Sequence, residues 1–228
     1  MLVTHSESEE LKLDFEEFIR DKSFPCVGAK SALSRGTLHI LTAWSVESAW
    51  DDIKIHNELM KWSEDYKTDP GLFRSFAVIF ANPTPLDEPQ FEQVLWARLQ
   101  SLADKDAWLG LPYDERVSSD PSDPHFSLSF GGEAFFAVGL HPQASRPARR
   151  FKRPVIVFNL HDQFEQLRAD QRYETIRETI LDRDLTLAGS MNPMLARHGD
   201  NSEAAQYSGR EVGEDWKCPF HDPRAAAA

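Results

Sequence analysis

Apolar positions along the chain recur with two different periods, and the alternation between them predicts the elements. Leu11, Phe15, Phe18 and Ile19 fall on one face at helical spacing over residues 9–20. Val46, Ala49, Trp50, Ile53, Leu59 and Met60 do the same over Val46–Lys61, as do Phe91, Val94, Leu95, Leu99 and Leu102 over residues 89–104. A fourth helix is predicted over 162–182, carrying Phe164, Leu167, Tyr173, Ile176 and Ile180. Between them lie runs of strand character: "TLHILTAW" (37–44), "FRSFAVIFAN" (73–82) and "PVIVFNL" (154–160). "FSLSFGGEAFFAVGL" (126–140) reads as two strands around Gly131-Gly132, a strong hairpin signal. "SFPCVGAKSALSRG" (23–36) reads as a helix break followed by a glycine-containing turn, and "YDERVSSDPSDPH" (113–125) as a polar loop.

About five strands interleave with helices, without a regular βαβ repeat, and the tight hairpin requires an antiparallel pair. The expected fold is α+β, a mostly antiparallel sheet backed by helices. Residues 1–228 form a single domain in this reading, with a core over about 9–188. From Gly189 to about 221 the periodicity fades and turn formers multiply. The Met, Tyr, Trp and Phe of that segment favour docking on the core over free disorder.

Charge narrows the function. A formal net charge of -12 argues against general nucleic-acid binding, which needs cations for phosphates. No apolar run approaches the roughly 20 residues that span a bilayer, and the acidic N-terminus lacks the pattern of a secretory signal. A cytoplasmic location, away from membranes, is the expectation. Cys26 and Cys218 are too few for a disulfide framework; they are either unrelated thiols or a pair brought to one site. Dinucleotide, Walker-type, GxSxG and HExxH motifs are missing.

One stretch runs against the overall charge. "GLHPQASRPARRFKRP" (139–154) holds Arg146, Arg149, Arg150, Lys152 and Arg153, with no acid between Glu133 and Asp162. Either these cations pair with distant carboxylates, or they await a ligand with two anionic groups, which guanidinium binds bidentately. His141 opens the segment and Pro142 restricts its backbone. A neutral imidazole followed by arginines can ligate haem iron while the arginines hold the propionates. Extended chain covers about 3.3–3.6 Å per residue, so one short loop can do both. Ser145 joins Arg146, Arg149 and Arg150 as cofactor-binding candidates. His161, ending the next strand, is the alternative ligand, and Cys218 the fallback. His56, near an apolar helix face, reads as a packed or surface histidine.

"FPCVGAKSAL", "GLHPQASRPARRF", "VFNLHDQFEQLR" and "NPMLARHGDNSEAAQYSGREVGEDWKCPF" resemble the YqcI/YcgG family of bacterial proteins, from about Phe24 to Phe220. Characterised relatives include haem proteins that N-hydroxylate a guanidino group in D-cycloserine and guanitoxin biosynthesis. The resemblance implies a haem-dependent monooxygenase, binding haem b and acting with dioxygen or peroxide on a guanidino or amine nitrogen of a small amino-acid-like substrate, with a redox partner. Cys26, His198, Tyr207 and Arg210 are then pocket candidates, alongside Arg197. Glu203, Glu211, Glu214 and Asp215 are the acids available to a cationic substrate. The main alternative is a haem-binding sensor, carrier or detoxifier without oxygenase activity. A module for a phosphorylated metabolite stands third, and a homodimer is left open.

Overall fold

The computed structural model describes residues 2–194 and 201–226. Five strands form one mixed sheet in the order β1-β2-β5-β4-β3. They are β1 (Leu38–Ala43), β2 (Ser75–Phe80), β3 (Leu128–Phe130), β4 (Glu133–Leu140) and β5 (Val155–Leu160). Only β1 and β2 run parallel; the other three pairings are antiparallel, so the α+β expectation holds. The β3–β4 turn is Gly131-Gly132, with φ of 62° and 77°, a left-handed conformation that glycine adopts without a Cβ penalty.

Helices cover both faces. Strand residues alternate sides, so Phe76, Val78, Phe80, Ile156 and Phe158 point one way and Ala77, Ile79, Val155 and Val157 the other. The first set packs on α3 (Asp52–Thr68) and α4 (Glu88–Trp108) through Ile55, Leu59, Phe91, Leu95 and Leu99. The second meets α1 (His5–Arg20) through Leu11, Phe15 and Ile19, together with Phe24 and Phe151. α2 (Val27–Arg35), α5 (His161–Ala169) and α6 (Tyr173–Ala188) share a smaller cluster around Ala32, Phe73 and Leu167.

Three expectations need correction. The stretch 23–36 is not merely a break: it contains α2, whose N-cap is Cys26 and whose C-cap is left-handed Gly36. Pro25 and Gly28 suggested a turn, yet both sit where a helix begins and tolerates them. The helix predicted over 162–182 is two, α5 and α6, separated where Gln171 takes φ 56°. No glycine or proline marks that break, so periodicity ran through it. Finally, α3 begins at Asp52, and Trp50 and Ile53 lie outside the apolar face, 69% and 67% exposed.

The segment after α6 docks as expected. A 3₁₀ turn at Glu203–Gln206 turns Ala204 and Tyr207 into the α3/α4 side, and the Tyr207 carbonyl accepts from the Gly139 N–H at 2.7 Å. Farther on, Arg224 reaches buried Asp106, which also bonds His56 Nε2 at 2.8 Å and the Gly131 N–H. His56 is therefore a packed structural histidine.

Candidate functional site

The two sides of the sheet are filled differently. On the α1/α5/α6 side a cavity of about 350 Å³ opens between the strands and the helices. Phe136, Val138, Val157 and Asn159 form its floor, Phe15 and Cys26 one wall, and His161 and Phe164 another. α6 closes it with Tyr173, Ile176, Ile180 and Leu181, spaced on one helical face. None of these four is fully buried; Asp184 is the only fully buried residue of α6. A continuous apolar stripe facing empty space is a surface that a ligand would complete.

The basic segment bends over the mouth of this cavity, and most of its charge is used locally. Arg146 pairs with Asp184 and bonds Ser190. Arg150 wraps its own loop, donating to the carbonyls of Ala144 and Ser145, while Lys152 pairs with Asp14. Arg153 donates to the Ala81 carbonyl. Arg149 is different. Its guanidinium donates only to main-chain carbonyls among the described residues: Gly139 at 3.2 Å, Tyr207 at 3.0 Å and Gln206 at 2.8 Å. Burial pulls its pKa down to about 10, with Asp184 acting in the opposite direction and Arg146 adding repulsion. A desolvated cation satisfied by dipoles, in the wall of an apolar cavity, is a socket for an anionic group.

Both Arg146 and Arg149 line the cavity, as do Arg74, Arg168 and Arg177. The Nε of Arg146 is buried without a partner among the described residues. Asp184 and Glu203 are the acids of the lining, so cations outnumber carboxylates there.

His161 is the histidine of the cavity wall. It starts α5 directly after β5 and is about nine-tenths buried, with 7% of its side chain exposed. Its Nδ1 lies 3.2 Å from Ser127 Oγ, and that hydroxyl donates to Glu203 Oε1 at 2.6 Å. Tyr207, fully buried, also donates its hydroxyl to Glu203. The Nε2 of His161 is 3.3 Å from Glu165 Oε1, whose half-exposed side chain also pairs with Arg168. A Ser–His–carboxylate trio suggests a hydrolase, but the order is wrong. In a nucleophilic triad the imidazole sits between the hydroxyl and the acid and takes the hydroxyl's proton; with Glu203 it is Ser127 that occupies the middle, and although Glu165 lies on the far nitrogen, Ser127 has no exposed surface and donates its proton to Glu203.

The other sequence candidates disperse. His141 does not line the cavity: Leu140 faces it, and the next residue of an extended chain faces away. His141 instead stacks on Phe91 at 4.4 Å with its Nδ1 unpartnered among the described residues, and burial holds its pKa below the ordinary 6.5. Period-2 alternation along β4, continued by one residue, already carried that information. Cys218 packs against the α3/α4 core with Trp216, its thiol pushed up to about 12 by burial, whereas Cys26 lines the cavity. The two thiols are free and belong to opposite sides of the sheet. Arg210 pairs with Glu92, Ser145 is exposed with its N–H on Glu88, and Arg150 is exposed. Glu211, Glu214 and Asp215 are exposed, and Arg197 and His198 fall outside the described residues. Sequence reasoning missed Ser127, which carried no signal: a small polar residue in a short strand region becomes meaningful only when its neighbours are known.

Among the described residues no cluster of three or more His, Cys, Asp or Glu could hold a metal ion by itself, and no helix is long and apolar enough to cross a membrane. The geometry is that of an α+β protein with an apolar, arginine-edged cavity that presents one oriented histidine among the described residues. The chain belongs to the YqcI/YcgG family, whose pattern matches residues 15–221. Comparison with curated proteins and with solved structures returns no match.

Proposed function

We propose that the protein is a haem-dependent monooxygenase that N-hydroxylates a guanidino or amine nitrogen of a small amino-acid-like substrate. The observation that carries this reading is the pairing, in one apolar cavity, of an oriented imidazole with a half-buried arginine, Arg149, that has no carboxylate partner among the described residues. Haem asks for that donor set. It needs one axial nitrogen, apolar walls for the macrocycle and cationic donors for the propionates. A chelated ion would need several converging ligands, and none converge among the described residues.

In this reading His161 would hold the iron, and Arg149 and Arg146 would hold the propionates. The cavity volume of about 350 Å³ lies near the lower end of ligand pockets, which run to about 1,000 Å³. The wall that would have to move outward for a macrocycle is α6, whose cavity-facing residues are half-buried and whose one buried side chain, Asp184, pairs with Arg146. When bound, haem supplies the oxygen chemistry. The protein's part is to exclude water with Phe136, Phe164 and the α6 stripe, and to orient the substrate. A cationic guanidino group would be drawn toward Asp184 and Glu203, the carboxylates that line the cavity.

Hemin titration of the purified protein, followed in the Soret region, tests the cofactor. His161→Ala is expected to lose most uptake, with recovery on adding imidazole, and His141→Ala to retain it. No uptake by the unsubstituted protein removes the reading. Turnover is then measured with dioxygen or peroxide over a panel of guanidines and amines. Uptake without turnover of any of them leaves a haem-binding protein that is not an oxygenase.

A further inference from the structure

Ser127 has no assigned role and Glu203 only that of a carboxylate in the cavity lining, yet their hydrogen bonds constrain His161 in a definite way. A serine hydroxyl carries one proton and two lone pairs. Ser127 donates that proton to Glu203 Oε1 at 2.6 Å, so toward His161, 3.2 Å away, its oxygen can only accept. The nitrogen facing it, Nδ1, must then be the protonated one. Glu203 is kept as an acceptor by its second donor: Tyr207 also gives its hydroxyl proton to the same oxygen. Burial and the neighbouring Glu203 push the Tyr207 pKa upward, which keeps that proton in place. Ser127, Glu203 and Tyr207 are 0%, 5% and 0% exposed, so water does not compete with these bonds.

We infer that Ser127 and Glu203 are positioning residues that lock the His161 proton on Nδ1, reserving Nε2 as the nitrogen at which the ring binds a ligand or exchanges a proton. The three groups come from distant parts of the chain: Ser127 precedes β3, His161 opens α5 and Glu203 lies in the docked C-terminal segment. The ring's second neighbour competes with this assignment: Glu165 Oε1, 3.3 Å from Nε2, is an acceptor that would draw a proton to that nitrogen, but its side chain is half-exposed and also pairs with Arg168, whereas the Ser127 bond is fully buried. Ring orientation by a hydrogen bond on the far nitrogen is the general means by which proteins select the ligating nitrogen of histidine. The role of Nε2 as iron ligand rests on the proposed function; the position of the proton does not.

The test reads the tautomer directly in the cofactor-free protein. Uniformly ¹⁵N-labelled protein is studied by long-range ¹H–¹⁵N correlation above the pH at which the ring loses its charge, and the His161 pattern is assigned by its disappearance in His161→Gln. A protonated Nδ1 with a bare Nε2 is expected; a protonated Nε2 with a bare Nδ1 overturns the inference. Ser127→Ala, compared at matched thermal stability, is expected to lose the single Nδ1–H pattern and shift toward the Nε2–H form that free imidazole favours. An unchanged pattern in a folded Ser127→Ala overturns it too. If that variant does not fold, the unsubstituted spectrum still decides. Hemin titration on the same samples separates the two claims: Nδ1–H without hemin uptake retains the lock and removes the cofactor, and the opposite result does the reverse.

Discussion

The two sides of the sheet are made by the same strands and do opposite things. Toward α3 and α4, Phe158 meets Phe76 at 6.0 Å and Phe130 at 5.9 Å, and the layer beyond is closed by Trp96 stacked on Tyr207 at 5.5 Å. Toward α5 and α6 the next residue along, Val157, looks into a cavity whose far wall is an incompletely buried helix. One side is packed as densely as a protein interior requires. The other holds its apolar surface and its cations in reserve. A protein that needs a rigid frame and a receptive pocket can obtain both from a single alternating strand.

Substitutions on neighbouring β5 positions should separate those roles most strongly. Phe158→Ala is expected to cost about 3–5 kcal/mol, by loss of buried surface plus a cavity. Val157→Ala, measured by the same urea or guanidinium midpoint, should cost roughly 1 kcal/mol. Equal costs would mean that the cavity side is as tightly built as the other. Asp106→Ala belongs with the filled side: it strips a buried acceptor from His56, Arg224 and Gly131, and removing one partner of a buried charge pair costs about 3–5 kcal/mol.

The next effect is on binding. Arg149→Met should weaken hemin by about 10- to 150-fold, since a hydrogen bond to a charged group contributes about 1.5–3 kcal/mol. Unchanged affinity in this variant would move the anion site elsewhere. A smaller effect appears in pH dependence. His141 is held neutral by burial, its pKa below 6.5, while the unfolded chain takes up a proton near that value. The unfolded state then binds more protons, so stability falls as pH drops below about 6.5 and continues to fall until the native ring titrates. His141→Gln should flatten that part of a stability-against-pH curve. The smallest change is Cys26→Ser. Its Sγ accepts from the Ala29 N–H at 3.4 Å as the α2 N-cap, and serine is the better cap, so stability should move by no more than about 1 kcal/mol.

How well the sequence foretold the molecule follows the same division. The strands β2 and β5 are continuous apolar runs and were readable to within two residues at either end, because burial on both faces leaves no other interpretation. The glycine pair marked its hairpin for a steric reason that needs no tertiary context. The break at Gln171 was invisible, since its left-handed φ is imposed by packing, with Arg168 lying over the Tyr173 ring at 4.4 Å across the gap. At the site, the basic segment and His161 could be picked out by type and position. That His141 faces away from the cavity followed from alternation along β4, but that Arg149 binds the carbonyls of Gln206 and Tyr207, and that Ser127 stands between His161 and Glu203, depend on contacts dozens of residues apart.

Arg149 sits against Gly209, where an added Cβ would lie 2.5 Å from the arginine Cδ, and it takes two of its acceptors from Gln206 and Tyr207. Glu203 comes from the same short stretch. All five strands precede these residues in the chain and so leave the ribosome first, whereas the filled side is closed only when Tyr207 and Phe220 follow. The socket and the histidine's support arrive after the strands. Arg149 therefore gains those two carbonyls, and His161 its Ser127–Glu203 support, only after translation has passed Tyr207.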